Sequence, residues 1–548
     1  MSGISDVDGT EAIAGPVVAD EGIGSVVYDN LHLEARRVLE RNPEPRNARD
    51  VAVALESMGH NASSARDLGF DSVFALARKV FDLAYLYWVP RGEIRIEPAP
   101  SWTSSLRDFL AGSWYGLPWI TSVLALFVAR VALWSSLNAD PQVATMVSLA
   151  FLSAAPLAGA CSQALARKGT FYYLQRNFPL VRWVMVRFAW LGTATAAFVV
   201  ASVYRLYVVP RYGATLGGVY LEFAAAIFAY LLAAAPMYML RRFATLAVAS
   251  GLAIGLGVLV AELGAKGPTA TARAGSIALS VGVAACVLAA ASLYSVQQVV
   301  PVGDRAERHG VKAPELHVVL WQSGPYVIYG VAYFSLILID RFVVGLAYGD
   351  SLGAGRYVYP STYEGSLDVA LLELVLLLGF VHSSMERFAR RLEPLLRSVA
   401  LEHWRQARLT LVKEWRRSVT TLVVAAGLTA AAFPTLILAV LPGSLTGAIR
   451  SPGGMTDLYL ASAAYAMVPV GMLCSQYLFF LGRPRMPALG AGLGAMTNAV
   501  IAVVASANGQ VASGVWGLLA GVTVYTSTVL LASYAALARG EESFYASF

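Results

Sequence analysis

Long apolar stretches separated by short polar segments make up most of this chain, and they follow a polar head of about 114 residues. A helix needs roughly 20 mostly apolar residues to cross a bilayer, and in lipid only helices or closed barrels satisfy their backbone groups. We therefore predict an all-α polytopic membrane protein. The twelve predicted spans are Tyr115–Leu137, Val143–Ala166, Trp183–Tyr207, Leu216–Leu240, Phe243–Leu263, Ala274–Val300, His317–Tyr348, Asp368–Ser384, Ser418–Leu441, Met455–Leu481, Met486–Ser506 and Val511–Leu537.

The spans form two groups of six, divided by a polar connection near Pro301–Leu316. This is the layout of a two-lobed solute carrier, with lobe 1 at residues 115–300 and lobe 2 at residues 317–538. Because each half has six spans, the halves would be parallel repeats about an axis normal to the membrane. Gly116–Ile120 in the first span and Gly324–Ile328 in the seventh form a short sequence echo of this relation.

The polar head divides into an acidic tail, residues 1–24, which we predict to be disordered, and a helical module with its linker, residues 25–110. Within the module, Asn47–Met58 is an amphipathic helix that ends at Gly59, and a second helix starts after Asp71 or Ser72. The head has no convergent set of polar side chains. It is a docking or regulatory module in one interpretation and a passive stabilising cap in the other.

The longest predicted inward loop, residues 386–417, is basic and amphipathic. Its apolar residues recur at helical spacing and face away from the arginines: Phe388, Leu392, Leu395, Leu396 and Val399. Such a helix lies on anionic lipid headgroups or packs against the cytoplasmic mouth of the protein. Pro394 predicts a kink in it.

The net charge of +6 is explained by the distribution of basic residues between the two sides of the membrane, and it does not indicate nucleic-acid binding. Alternate loops carry twenty lysine and arginine residues on one side of the membrane and six on the other. The positive-inside rule then places both termini in the cytoplasm, in a multi-pass protein of the cytoplasmic (inner) membrane. The first twenty residues are acidic and contain no lysine or arginine, so they do not form a signal peptide.

Several kinds of chemistry have no sequence signal here. The three cysteines, Cys161, Cys286 and Cys474, lie inside predicted spans, where they are packing residues rather than a disulfide or a metal site. No cysteine and histidine spacing resembles a zinc site, and no P-loop motif occurs. We expect neither a cofactor nor a catalytic site, and classify the protein as a non-enzyme.

Charged residues at membrane depth are costly, so they are the first candidates for a functional site. Four of them lie roughly 7–12 Å from the outer ends of their spans: Arg130, Asp340, Arg341 and Glu373. We predict that Asp340 or Arg341 pairs with Glu373 across the seventh and eighth spans, and that Arg130 faces them from lobe 1. In the alternative interpretation these residues form a salt bridge that only fixes packing, with Arg130 extending towards the headgroups.

Three weaker candidates lie nearer the span ends. Glu222 and Arg187 are placed to extend towards the headgroups. His382 is a group that could titrate, or a histidine held by hydrogen bonds in the packing.

Four short segments resemble motifs of one transporter family. Leu338–Phe342 is similar to its WIDK-type element, although Trp is absent before Ile339. The other three segments are Gly116–Thr121 (a GPW-L start), Ser384–Phe388 with the later Lys413–Trp415 (an ET-F segment), and Phe479–Arg485 with Asn498 (a FYLDRR…N stretch in which Gly482 replaces Asp). With twelve spans in two halves, the chain resembles the multidrug/oligosaccharidyl-lipid/polysaccharide (MOP) flippase superfamily, and most of all its PelG-type exopolysaccharide exporters.

The resemblance implies a flippase or exporter that moves a polysaccharide or lipid-linked glycan by alternating access of its two lobes. Arg130 and Arg341 would attract an anionic phosphate or acidic sugar, and Asp340 and Glu373 would carry protons or cations. The expected partners are the glycan, membrane lipid and a cytoplasmic glycosyltransferase or synthase subunit bound through residues 25–110.

Three other functions remain open from the sequence. The first is a cation-coupled drug or metabolite antiporter of the same fold. The second is a membrane subunit of a polysaccharide synthase complex. The third, a membrane-embedded glycosyltransferase, has little support, because the predicted outer loops offer only Asp140, Asp350 and Glu364 as acids.

Overall fold

The computed structural model describes residues 25–42, 45, 47–87, 102–113, 116, 140–175, 177–240, 242–264, 270–299, 314–350, 355–398, 404–440, 447, 449–508 and 514–538. Every regular element among them is a helix, which confirms the all-α prediction. The acidic tail, residues 1–24, and nearly all of the first predicted span, Tyr115–Leu137, lie outside the described residues.

The chain divides into two compact units. The smaller comprises Met1–Ile96 with Leu392–Trp404, and the larger comprises Glu97–Arg391 with Arg405–Phe548. The described helices of the smaller unit are α1 (Ser25–Arg41), α2 (Ala48–Ser57), α3 (Ala62–Asp67) and α4 (Val73–Tyr87).

These four helices enclose a core of their own. The side chains of Leu31, Val38, Leu55, Leu76 and Val80 are fully buried in it. Helix α2 begins where the sequence predicted, because the Asn47 side chain accepts hydrogen bonds from the backbone N–H groups of Arg49 and Asp50. It ends before Gly59, whose φ of 97° is a conformation that glycine adopts without strain.

The described helices of the larger unit are α5 (Trp102–Ser113), α6 (Pro141–Leu174), α7 (Phe178–Val203), α8 (Val209–Met239), α9 (Phe243–Gly264), α10 (Ala270–Val299), α11 (Leu316–Asp350), α12 (Ser361–Ser398), α13 (Trp404–Val440), α14 (Pro452–Phe480), α15 (Arg485–Ala507) and α16 (Gly514–Ala538). Among the described residues, ten stretches are long and apolar enough to cross a membrane when Phe178–Met239 is counted as one. Gly213 breaks that stretch with φ 82° and ψ 171°. Each of the second to twelfth predicted spans thus corresponds to a helix of a multi-pass membrane protein.

The corner between α7 and α8 differs from the loop that the hydropathy pattern predicted at this place. The chain passes from α7 into one π-helical turn, Tyr204–Val208, and directly into α8. A π turn widens the helix locally and redirects the side chains that follow it. Tyr207, Arg211 and Tyr212 therefore project together from the corner between α7 and α8.

The basic amphipathic segment predicted at residues 386–417 is largely helical, as its spacing indicates, but it is shared between two longer helices. Helix α12 continues without a break from the eighth span to Ser398, and α13 begins at Trp404. Most of the segment therefore extends two membrane helices instead of forming a separate helix on the membrane surface. Phe388 is buried, and its ring contacts Tyr477 and Phe480 of α14 at centroid distances of 4.5 and 6.0 Å. The side chains of residues 391–407, with the predicted kink at Pro394, lie outside the described part.

The two lobes meet through closely approaching glycines. At Gly330 of α11, an added Cβ would lie 2.6 Å from the carbonyl oxygen of Gly159 in α6. Helix α5, which precedes lobe 1, approaches lobe 2 in the same way near the end of the bundle that carries the basic loops. There a Cβ at Gly112 would lie 2.8 Å from the carbonyl oxygen of Gly379 in α12. The end of the bundle that carries the basic loops is called the basic end. The opposite end, where α6 begins and α11 ends, is called the distal end.

Helix α5 covers the end of the segment, residues 25–110, that the sequence assigned to the helical module and its linker. It lies in the larger unit, where Asp108 pairs with Arg390 of α12. Phe109 also contacts Phe380 of α12, with ring centroids 4.7 Å apart.

Candidate functional site

A buried charge cluster lies in the distal half of lobe 2, centred on Arg341 of α11. The Arg341 Nη1 atom donates to Glu364 Oε2 at 2.5 Å and to Asp368 Oδ1 at 2.6 Å. Its Nη2 atom donates to the Tyr465 hydroxyl of α14 at 3.2 Å. All four side chains are buried, so these charge-assisted hydrogen bonds act in a low-dielectric environment.

The adjacent residue, Asp340, belongs to a second network on the same helix. Its Oδ2 atom accepts from the Tyr363 hydroxyl at 2.7 Å, and its Oδ1 atom accepts from Asn498 Nδ2 at 3.1 Å. Asn498, from α15, also donates to the backbone carbonyl of Leu336 at 2.8 Å. Successive residues of a helix point about 100° apart. Asp340 and Arg341 can therefore contact different helices although they are neighbours in sequence.

Local sequence explains why these partners reach Arg341. Glu364 and Asp368 are four residues apart, so they occupy one face of α12. The segment that precedes α12, residues 355–360, folds back over the end of α11, where glycines leave room for it. A Cβ at Gly345 would overlap the ring of Tyr357, and one at Gly349 would overlap the carbonyl oxygen of Arg356.

The cluster extends into lobe 1 through Tyr357. The Tyr357 hydroxyl donates to Glu364 Oε1 at 3.2 Å and lies 2.7 Å from the Ser148 hydroxyl of α6. Tyr357 is fully buried. A chain of hydrogen bonds thus runs from α6 in lobe 1 to Arg341 in lobe 2.

Glu373 lies apart from this cluster, so its predicted pairing with Asp340 or Arg341 is wrong. It is five residues beyond Asp368, which places it roughly 140° around the axis of α12. There its Oε2 atom accepts a hydrogen bond from Ser462 of α14. Its Oε1 atom is buried and has no hydrogen-bond partner among the described residues.

Three other sequence candidates, Arg187, Glu222 and His382, show no contact with this cluster in the described part of the chain. Arg130 lies outside the described residues. Arg187 and Glu222 are exposed on the surface of α7 and α8. His382 is half-buried on α12 towards the basic end, with its Nε2 atom 3.7 Å from Glu386 Oε1.

Sequence reasoning missed several members of the site. It placed Glu364 in a loop and Asp368 at a span boundary, and it did not single out Tyr465 or the buried Asp457 of α14. Acidic residues at positions i and i+4 are a signal for a shared helix face. The sequence prediction does not include this pair, because its eighth span begins only at Asp368.

The charge balance of this region decides its chemistry. In the distal half of lobe 2, five buried carboxyl groups (Asp340, Glu364, Asp368, Glu373 and Asp457) share one buried guanidinium among the described residues. Unpaired charges are not stable in such an environment. The carboxyl groups outside the Arg341 ion pairs are therefore the candidates for neutralisation by a proton or a cation. The described part contains no group of three or more histidine, cysteine or acidic residues placed to hold a metal ion.

Comparison with known proteins identifies a fold. No protein-family model matches the sequence, and no curated protein matches it. Among solved structures, one match is an MOP superfamily transporter from Pyrococcus furiosus Vc1, whose reverse polarity of the binding pocket suggests a different function. The identity is 14% and the TM-score 0.53, over 79% of this chain and 95% of that one.

Two further structures agree with the first. A multidrug resistance MATE family transporter of the MOP superfamily, in an outward-facing conformation, matches with 14% identity and a TM-score of 0.53, over 80% of this chain and 95% of that one. A MATE structure in the straight conformation matches with 12% identity and a TM-score of 0.52, over 80% and 96%. The first two structures are described as transporters and not as enzymes. The chain therefore has the fold of the MOP-superfamily transporters.

Proposed function

We propose that this protein is a flippase or exporter of a polysaccharide or lipid-linked glycan, working by alternating access of its two lobes in the cytoplasmic membrane. The observation that carries the choice of substrate class is that the short motifs resembling PelG-type exporters contact one another in lobe 2. Asp340, from the WIDK-like element, accepts a hydrogen bond from Asn498, which closes the FYLDRR…N-like stretch. These two residues are 158 positions apart in sequence.

The remaining motifs of lobe 2 contact one another in the same way. Phe388 of the ET-F-like segment packs its ring against Phe480 of the FYLDRR-like stretch. Arg387 lies 4.0 Å from Glu414, which belongs to the Lys413–Trp415 element. Because these motif-like segments contact one another, they share a structural role. This contact supports the resemblance to the family in addition to the short stretches of sequence that carry it.

The buried charges support transport by movement of the lobes. The Arg341 cluster lies beside the lobe boundary and is joined to α6 through Tyr357 and Ser148. A network of this kind has one arrangement while the lobes are together and must rearrange when they separate. Asp340, Glu373 and Asp457 are the buried carboxyl groups of this region outside the Arg341 ion pairs. In this proposal Asp340 and Glu373 carry the protons or cations that bias the equilibrium.

Arg341 takes a different role from the one first expected for it. Both of its Nη atoms bind partners inside lobe 2, so they do not face a substrate in this conformation. We assign it to holding the cluster together. Attraction of an anionic glycan by Arg130, and binding of a glycosyltransferase or synthase subunit by residues 25–110, remain parts of the proposal.

Replacing Glu373 with glutamine is expected to reduce glycan export at least tenfold while leaving protein abundance unchanged. Glutamine keeps the size and the Ser462 contact, but it cannot take up or release a proton. The measurement is secreted and cell-associated polysaccharide in a deletion strain complemented with each variant. Glu222→Gln is the matched control, because it makes the same chemical change at an exposed position.

Two results would overturn the proposal in different ways. Normal export by Glu373→Gln would remove the coupling role of this carboxyl group. Unchanged polysaccharide in the deletion strain would remove the glycan itself as substrate. In the second case, altered drug sensitivity of the same strain in a pump-deficient background would identify an antiporter.

A further inference from the structure

The segment Gly355–Pro360, here called the distal strap, joins α11 to α12 and crosses from lobe 2 to lobe 1 at the distal end. The corner between α7 and α8 holds its backbone. The Tyr207 hydroxyl accepts from the Tyr357 N–H at 2.9 Å and donates to the Gly355 carbonyl at 3.2 Å. Arg211 Nε donates to the same carbonyl at 3.1 Å, and the Tyr212 hydroxyl donates to the Tyr357 carbonyl at 2.6 Å.

Helix α6 contributes two more hydrogen bonds to the distal strap. The Thr145 hydroxyl accepts from the Tyr359 N–H at 3.2 Å, and the Ser148 hydroxyl bonds to the Tyr357 hydroxyl at 2.7 Å. Six hydrogen bonds between described residues therefore join the strap to lobe 1. Five of them use strap backbone groups, so they depend on the position of the strap more than on its side chains.

On the lobe 2 side, Tyr357 anchors the strap to the charge cluster. Its hydroxyl donates to Glu364, and its ring lies against Gly345 and stacks on Phe342 with centroids 6.1 Å apart. The Val358 N–H donates to the Gly345 carbonyl at 2.9 Å. Tyr357 thus contacts both α6 and the acid that binds Arg341, and the Ser148 hydroxyl of α6 also lies 3.5 Å from Glu364 Oε1.

We propose that the distal strap is a latch between the lobes, and that Tyr357 couples its release to the Arg341 cluster. When lobe 1 moves away at the distal end, the six strap bonds break together. The Ser148 hydroxyl then moves away from the Tyr357 hydroxyl. The hydrogen bond from Tyr357 to Glu364 is thereby left without the Ser148 group that orients the Tyr357 hydroxyl. The inference rests on the proposed alternating access of the lobes, and it holds for any substrate.

The test measures how often the strap lifts from α6. Thr145 is 4% exposed beneath the Tyr359 N–H, so a cysteine there reacts only after the strap has moved. The reporter is Thr145→Cys in a chain whose Cys161, Cys286 and Cys474 are replaced by alanine. The purified protein in nanodiscs, in which both faces meet water, is labelled with a membrane-impermeant maleimide.

Tyr357→Phe is expected to raise the labelling rate about fivefold, because the ring stays while two hydrogen bonds are lost. Tyr207→Phe removes two other strap bonds and is expected to act in the same direction. Tyr459→Phe is the matched control. It removes a hydroxyl on α14 that bonds only to the exposed Thr435 among the described residues, and its rate should stay within twofold of the parent.

A labelling rate within twofold of the parent in both Tyr357→Phe and Tyr207→Phe would contradict the proposed latch. So would an equal rise in Tyr459→Phe. A second chain that retains only the fully buried Cys474 reports general unfolding. If Cys474 becomes reactive in the strap variants, the opening is not local and the proposal fails. No substrate enters this assay, so its result is independent of whether glycan export is confirmed.

Discussion

Replacing Arg341 with alanine is expected to lower the free energy of unfolding by about 3–5 kcal/mol, because it leaves a buried cluster without its cation. Glu364 and Asp368 would then face each other four residues apart on α12, with no guanidinium between them. The measurement is the thermal melting of the detergent-solubilised protein. The lost stability should appear as a large drop in melting temperature.

A neutral replacement of the whole group separates charge from packing. Arg341→Met combined with Glu364→Gln and Asp368→Asn keeps the volumes and removes all three charges. Breaking a buried pair is costly, whereas replacing it with uncharged groups of similar size is often tolerated. The triple variant should therefore recover most of the loss. A triple variant no more stable than Arg341→Ala, or a stable single variant, would contradict this account.

Gly330→Ala is expected to destabilise the contact between the lobes by about 1–3 kcal/mol, although it adds a single methyl group. The new Cβ would lie 2.6 and 2.7 Å from the carbonyl oxygen and carbon of Gly159, and 2.8 Å from the Cα of Ala160. These are backbone atoms of α6, so they cannot move aside without shifting the helix. Because α6 and α11 belong to different lobes, the transport proposed for this protein should fall with stability.

Gly324→Ala on the same helix is the matched control. An added Cβ there has open space within 4 Å, and alanine favours helix over glycine. Its melting temperature should be unchanged or slightly higher than that of the parent. Similar melting temperatures for the two alanine variants would show that the glycine contact does not hold the lobes.

Much of the architecture was predictable from hydropathy. Each of the second to twelfth predicted spans has a matching helix, and the helix predicted at Asn47–Met58 is present as Ala48–Ser57. The errors lie where helices run past the apolar stretch. Helix α12 starts at Ser361 and ends at Ser398, well beyond the predicted Asp368–Ser384. Its polar ends are stabilised by other helices, as Glu364 is by Arg341, and hydropathy does not register such contacts.

The candidate site was predictable in part. The sequence singled out Asp340, Arg341 and Glu373, and all three are buried in lobe 2. It did not identify Glu364 and Asp368 as the partners of Arg341. The distal strap had no sequence signal, because five of its six bonds to lobe 1 use backbone groups that every residue other than proline carries.

The sequence by itself determined the order and approximate limits of the membrane helices that match the second to twelfth predicted spans. Each helix satisfies its backbone hydrogen bonds within its own segment, so local composition is sufficient information. Only the tertiary structure decided which buried charges meet. Contacts between helices depend on their rotation and relative height, and one residue along a helix turns a side chain by about 100°. For that reason Arg341 binds Glu364 and Asp368, Asp340 binds Tyr363 and Asn498, and Glu373 faces Ser462.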